Sequence, residues 1–391
     1  MAVTLSEIAI NSTHLSGNPI LVKATTSGIP AGAEEYKILL KVVSADNVLV
    51  GSPFIDSIAP DASGIAWFDI SGYVHQPIPI DFKFPLSGRF NAYQNASYDI
   101  WLYPGESYID SNGNLQESFG SVLEPFFILR GKLSQQEIAS YNDNGTNWFD
   151  AWCGMGKFLT HQPLVQTIHP KQPVKLWMKW PSGIGATITI TTRAYYEDGS
   201  YQDIVQTPGV TRASVYELDL QPEHMQFPLV NLSGSGMSHF TVQWTGGGIT
   251  SELRTFRLDW RDYEYCNFLF FYNPIGGIDC VWCKGGVELG HSTTQVKGII
   301  PAPKGASQKI STIITSKTTK RKWTINTGFK SKEEMAALLG LMESEKVWLL
   351  FNAHDLTSAT LHPVIVENGD DILNHWSEDL ESIDIELTEA H

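Results

Sequence analysis

The chain has 391 residues, 42% hydrophobic and 18% charged, the composition of an ordered globular protein too long for one ordinary core and fitting two or three domains. A formal net charge of −15 argues against a general nucleic-acid binder, which needs a positive face for phosphate, although it allows a local basic patch. No run of eighteen apolar residues occurs and the N-terminal residues lack the basic and apolar regions of a signal peptide. No membrane span and synthesis in a cytoplasm are therefore expected.

In chain order, the first region alternates short apolar runs with turns. Ile20–Thr25, Tyr36–Val43, Val48–Val50, Ile65–Ile70, Ser97–Tyr103 and Glu124–Leu129 read as strands, with a hairpin tip at 110–114. Such spacing predicts an antiparallel β-sandwich over 1–132. Ser134 and Glu137 form a capping-box pattern, so 133–149 reads as a linker with a short helix over Leu133–Tyr141.

The second region, 150–262, repeats the pattern. Val174–Trp180, Ala186–Tyr196, Tyr201–Val205, Val215–Leu220, Ser238–Trp244 and Ser251–Trp260 are predicted strands. Asp198-Gly199 marks a hairpin turn, and a second sandwich follows. The third region, 263–391, opens with two dense apolar runs, Phe268–Tyr272 and Ile278–Cys283, flanking an Asn-Pro-Ile-Gly-Gly turn. They predict the central hairpin of a C-terminal domain, with Gly276-Gly277 there to fold the strands back. Ser311–Thr315, Arg321–Asn326, Val347–Phe351, Leu361–Glu367 and Ile383–Leu387 continue as strands. Ser331 and Glu334 form a second capping box, opening a helix near 332–343 that presents Met335, Leu338, Leu339 and Met342 on one side. The expected class is mainly β: tandem antiparallel β-sandwich domains and a C-terminal β-rich domain carrying one amphipathic helix.

Candidate chemistry is thin. Cys153, Cys266, Cys280 and Cys283 are too few for a disulfide scaffold. Cys280 and Cys283 have CxxC spacing, but zinc needs a second ligand pair, and strand alternation puts these two on opposite faces; buried structural cysteines are expected. Asp259 and Asp262, amid aromatics, have the residue types of a glycosidase pair, but nothing fixes their separation, and a solvated or paired strand end is favoured. The histidines, among them His75, His161, His169, His224, His239, His291, His354, His362 and His375, are scattered singly, without HExxH or HxH. No GxSxG, Walker A or GxGxxG fingerprint occurs.

Two surface features stay open. Lys317, Lys320, Arg321 and Lys322 form a dense basic run for which a charged hairpin blunting an exposed edge is favoured, with DNA, an acidic partner or a neighbouring copy as the alternatives. Trp148, Trp152, Trp177 and Trp180 suit either sugar stacking or burial, with burial favoured.

The order Phe268-Leu-Phe-Phe-Tyr-Asn-Pro-Ile-Gly-Gly-Ile-Asp279, followed by Thr327-Gly-Phe-Lys-Ser-Lys-Glu-Glu334 and Ser344-Glu-Lys-Val-Trp348, resembles tail proteins of tailed phages and prophages of Bacteroidota. The resemblance covers roughly residues 266–390 and is similar in outline to distal tail or tail-hub components of the baseplate. It implies a non-enzymatic virion protein that assembles as a homo-oligomeric ring and contacts other tail or baseplate proteins, linking tube, hub and fibres. It carries over no catalytic, cofactor-binding or metal-ligating residue, and no cofactor is expected. A carbohydrate- or receptor-binding β-sandwich protein touching a host-surface glycan is the alternative, and a β-rich hydrolase using Asp259 or Asp262 a third reading.

Overall fold

The computed structural model describes residues 3–6, 12–44, 51–75, 90–93, 96–123, 125–143, 148–181, 185–211, 214–222, 225, 227–261, 263, 266–300, 311–351, 360–367 and 380–390. The expected strand Val48–Val50 lies outside them. The chain is mainly β, with several antiparallel sheets. It divides into two compact units, Met1–Leu258 with Asn273–Asp279, and Asp259–Tyr272 with Cys280–His391.

The first unit holds two sandwiches, each with its own core. In the first, the sheet of Val3–Ser6, Leu21–Thr26 and Ile65–Asp69 faces a sheet ordered Thr13–Leu15, Phe126–Leu129, Ser97–Ile109, Glu34–Ser44 and Phe54–Ile58. Alternation supplies the core: Val22 and Ala24 from one layer meet Ile38, Leu40, Val42, Ile100 and Leu102 from the other. Ser97–Ile109 runs on into a hairpin with Leu115–Phe119, whose tip is built by Asp110 accepting from the Asn112 and Asn114 amides at 2.9 Å, with Gly113 at φ 80°.

The second sandwich faces the sheet Val165–Ile168, Arg254–Leu258, Met237–Gly246, Thr189–Tyr196 and Tyr201–Gln206 against Lys175–Lys179, Val215–Asp219 and Phe90–Tyr93. Phe90–Tyr93 comes from the first third of the sequence. It pairs antiparallel with Val215–Leu218, and Phe90 stacks on Tyr216 at 4.9 Å. Both faces of Lys175–Lys179 and Val215–Asp219 are buried. Leu176 and Met178 enter the apolar core, while Lys175, Trp177 and Lys179 point the other way. Lys175 pairs with Glu217 at 2.9 Å, and the Lys179 ammonium lies over the Phe127 ring and hydrogen-bonds Ser97 Oγ at 2.5 Å. A desolvated ion pair fixes which groups must meet more than it adds net stability.

The second unit is a seven-stranded sheet ordered Ile278–Cys283, Asn267–Tyr272, Val347–Leu350, Leu361–Val366, Asp384–Glu389, Ser311–Asn326 and Val287–Ile300. The helix Lys332–Met342 covers one face through Met335, Leu338 and Leu341, against Leu269, Phe271, Val347 and Leu349. Its N-terminus is closed by the expected capping box: Ser331 Oγ accepts from the Glu334 amide, and the Glu334 carboxylate accepts from the Ser331 amide at 2.9 Å. Leu339 and Met342 are only half-buried, so the packed stripe is rotated toward Leu338 and Leu341.

One expectation needs correction. The hairpin of Asn267–Tyr272 and Ile278–Cys283 is not central, because Ile278–Cys283 is the edge strand and Asn267–Tyr272 pairs onward with Val347–Leu350. Its density of aromatics reflects burial of both faces, which a near-continuous apolar run allows at an edge as well as in the middle. The turn between them, Asn273–Asp279, belongs to the first unit.

Candidate interaction surface

Asp259, weighed for chemistry, is held by its neighbours. Both oxygens of Asp259 are engaged: Arg261 donates through Nε at 2.8 Å and Nη2 at 2.6 Å, and Tyr263 Oη donates at 2.8 Å. The Arg261 hydrogen bonds hold this carboxyl well below the usual carboxylate range, against the effect of burial, so it is a fixed anion at neutral pH. Asp262 lies outside the described residues. None of the four cysteines is in a disulfide, and burial pushes the Cys283 thiol up to about 12, so it carries no thiolate near neutrality. Among the described residues no group of three or more His, Cys, Asp or Glu is placed to hold a metal. No described helix is long and apolar enough to cross a membrane.

Trp177 and Trp180 are buried, as expected. Trp148 and Trp152 are half-buried; the Trp152 indole donates to the Phe158 carbonyl at 2.7 Å, and Lys157 covers its ring at 4.7 Å. Trp177 and Trp180 therefore present no ring face for sugar stacking.

The Asn-Pro-Ile-Gly-Gly turn is shaped by close packing. Asn273 Oδ1 accepts from the amides of Ile275 and Gly277, at 3.1 and 2.9 Å, and its amide donates to the Leu159 carbonyl at 2.7 Å. Gly276 sits at φ 91°, and a Cβ there would fall 2.3 Å from the Arg130 carbonyl; at Gly277 it would fall 2.1 Å from the Leu159 carbonyl. The two glycines thus do more than reverse the chain. Next to them, Asp279 is buried and accepts from Thr160 Oγ1 at 2.6 Å; burial pushes its carboxyl up to about 6, opposed by the Thr160 and Asn273 hydrogen bonds.

The basic run lies on the longest strand. Ser311–Asn326 is continuous where two separate strands are expected, and pairs with Val287–Ile300 from Val287–Ile325 to Ile300–Ser311. Among the described residues, only Lys322–Asn326 also pairs on the other side, with Asp384–Thr388. From Ser311 to Arg321 the two strands therefore form a ribbon of roughly 35 Å, at about 3.3 Å per residue, with no further strand partner among the described residues. Trp323 and Ile325 are buried at its base, whereas almost every described side chain from Glu288 to Lys297 and from Ile314 to Lys322 is exposed. Leu289 is 67%, Val296 57% and Ile314 54% exposed. Continuity was hidden in the sequence because the Thr-Ser-Lys-Thr-Thr-Lys stretch has no buried face and hence no apolar alternation.

A second exposed surface crosses the larger sheet of the second sandwich. Register places Tyr201, Tyr195, His239 and Arg257 side by side on four strands. Tyr195 and His239 stack at 4.4 Å, Arg193 lies over Tyr201 at 4.5 Å, and Arg193 forms a bidentate pair with Asp203 at 2.6 and 2.8 Å. Tyr201 is 61% exposed. Sequence reading missed this row, since it exists only through the registers that align four strands.

No family model matches the chain, and no curated protein matches it. Among solved structures, a variant of Salmonella alpha-2-macroglobulin and the methylamine-reacted Salmonella protein are 9% and 10% identical to this chain, over 84% and 83% of it, each with a TM-score of 0.20. The Escherichia coli alpha-2-macroglobulin in its native conformation is 9% identical over 98% of the chain, with a TM-score of 0.19. The chain spans 22–23% of the length of these proteins. Likeness at this level assigns neither fold family nor function.

Proposed function

We propose that the chain is a non-enzymatic structural protein of a phage tail or baseplate, assembling through protein–protein contacts into a ring or hub between tail tube and fibres. The observation that carries this reading is the ribbon of Val287–Ile300 and Ser311–Asn326, which leaves the sheet with both faces in solvent. A two-stranded ribbon is marginal in water by itself, so one this long is stabilised when another surface covers it. The resemblance of residues 266–390 to distal tail proteins suggests the biological setting, and the engagement of Asp259 by Arg261 and Tyr263 supports a structural role for that carboxylate. Gold-labelled antibody against the purified protein, applied to tailed particles from the source, is expected to mark the tail. Label confined to soluble fractions would contradict the reading.

The Tyr201–Tyr195–His239–Arg257 row favours a second reading, a glycan- or receptor-binding sandwich. Exposed aromatic edges beside Arg and Asp offer both apolar contact and hydrogen bonds. A glycan array that gives binding lost on Tyr201→Ala, with assembly intact, would establish it.

A further inference from the structure

Positive charge gathers where the edge strand of the second unit ends. The strand Ile278–Cys283 runs out at Lys284, and the segment leading into the helix is wrapped against it. The Lys284 amide donates to the Thr327 carbonyl at 3.3 Å, and the Gly285 amide to the Asn326 carbonyl at 3.1 Å. Gly328 sits at φ 66°, and a Cβ there would fall 2.9 Å from Lys284 Cβ. Lys330, on the short strand Lys330–Ser331, is thereby brought close enough to Lys284 and Cys283 for its charge to act on both. It is only 5% exposed, and its side chain forms no hydrogen bond or ion pair among the described residues. Two carboxylates stand near, and both are engaged elsewhere. Asp259 accepts from Arg261 and Tyr263 and lies 3.6 Å from Lys284 Nζ, while Glu334 accepts from the Ser331 amide at 2.9 Å. Burial, and after it the charge of Lys330, lowers the pKa of Lys284, opposed by Asp259 and Glu334. A lysine buried to this degree that meets a second lysine instead of a carboxylate is costly to fold. In a chain with 42 acidic and 27 basic residues, a counter-ion for Lys330 is not scarce.

We propose that Lys284 and Lys330 together hold an oxyanion, a phosphate or carboxylate group, at the end of the strand Ile278–Cys283. The site lies within the second unit and does not depend on the assembly reading. Two ammonium groups donate charge-assisted hydrogen bonds to separate oxygens of one anion, which supplies the negative charge that Lys330 lacks and offsets the repulsion between the lysines. Arg261 adds a third positive charge beside them. It uses Nε and Nη2 on Asp259, its side chain is 74% exposed, and its Nη1 has no protein partner among the described residues. Lys284 lies over the Trp282 ring at 4.5 Å, and Tyr263 meets that ring edge-on at 4.9 Å, so the Lys284 side chain is held in place before any anion arrives.

The probes are inorganic phosphate and acetate, titrated calorimetrically into the full chain at an ionic strength fixed with sodium chloride. Saturable binding of at least one is expected, and which of the two binds more tightly tells a phosphate-type source from a carboxylate-type one. Lys330→Met and Lys284→Met are each expected to weaken that binding by about tenfold or more, the worth of one hydrogen bond to a charged group. Lys330→Arg, which keeps the charge, weakens it less, and Lys317→Met, on the exposed ribbon, leaves it unchanged. A measurement on the native chain needs no substitution: brief acetylation with acetic anhydride, read residue by residue by peptide mass spectrometry. The bound anion is expected to slow labelling of Lys284 and Lys330 and to leave Lys317 labelled at the same rate. No saturable heat with either anion, binding that survives Lys330→Met, or equal slowing at Lys317 would overturn the proposal. Lys330 would then be a lysine with a buried stem whose ammonium reaches water. None of these outcomes bears on whether the chain assembles.

Discussion

Single side chains at the Asn273–Asp279 turn carry sharp consequences. Gly276→Ala places a methyl group 2.3 Å from a carbonyl oxygen at φ 91°, and Gly277→Ala one 2.1 Å from another, both against backbone that has no rotamer to yield. Strain and overpacking of this kind cost on the order of 2 kcal/mol or more each, so chemical denaturation of either variant is expected to show a midpoint well below that of the native chain. Asp279 sets a pH dependence. Its folded pKa of about 6 lies above the ordinary carboxylate value, so the folded state holds this proton more tightly than the unfolded chain. Its contribution is therefore fully present below about pH 4 and is lost as pH rises through 6. Asp279→Asn keeps an acceptor for Thr160 and is expected to flatten that decline, gaining on the order of 1–2 kcal/mol over the native chain at pH 8 and little at pH 4. Unfolding curves at the two pH values decide it; equal effects at both would rule out the buried carboxyl as the cause. Neither consequence was legible in the sequence. The two glycines read as a chain reversal, and Asp279 as an ordinary strand residue, because the carbonyls and the hydroxyl they meet lie more than a hundred positions away.

Elements were legible in proportion to how local their cause is. Both capping boxes form, at Ser134 with Glu137 and at Ser331 with Glu334, since each needs only four consecutive residues. Ser331→Ala is expected to lower the stability of the second unit by about 1 kcal/mol, as loss of an N-cap does, in a thermal melt followed by helix signal. The alternation of Thr189–Tyr196 and the Asp198-Gly199 turn likewise gave the correct hairpin, paired from Tyr195–Tyr201 to Ile190–Gln206. Pairings that span long separations were invisible. Phe90–Tyr93 joins Val215–Asp219 across more than a hundred residues, and nothing in its four residues announces that partner. The edge position of Ile278–Cys283 and the unbroken run of Ser311–Asn326 were missed for the related reason that sheet order and ribbon continuity are properties of pairing, not of composition. The exposed row on the larger sheet has its own test: Tyr201→Ala removes the Arg193 cation–π contact and is expected to cost no more than about 1 kcal/mol, so a large loss of fold would show that this surface is structural.

At the scale of the whole molecule, the chain is a set of β-layers whose polar strands end in exposed sheet, and the functional reading follows from that surface more than from any pocket. An assembly protein needs large, specific faces, and obligate interfaces commonly bury more than about 2,000 Å². The ribbon and the tyrosine row are described surfaces with the chemistry for it. The decisive quantity is the mass of the purified full chain in solution, read by multi-angle light scattering across a range of concentrations at low salt. A particle of several times 43.4 kDa, resolved as a closed ring by electron microscopy, is the expected result. A single 43.4 kDa species at every concentration, with affinity for a sugar, would contradict it and favour the binding-module reading.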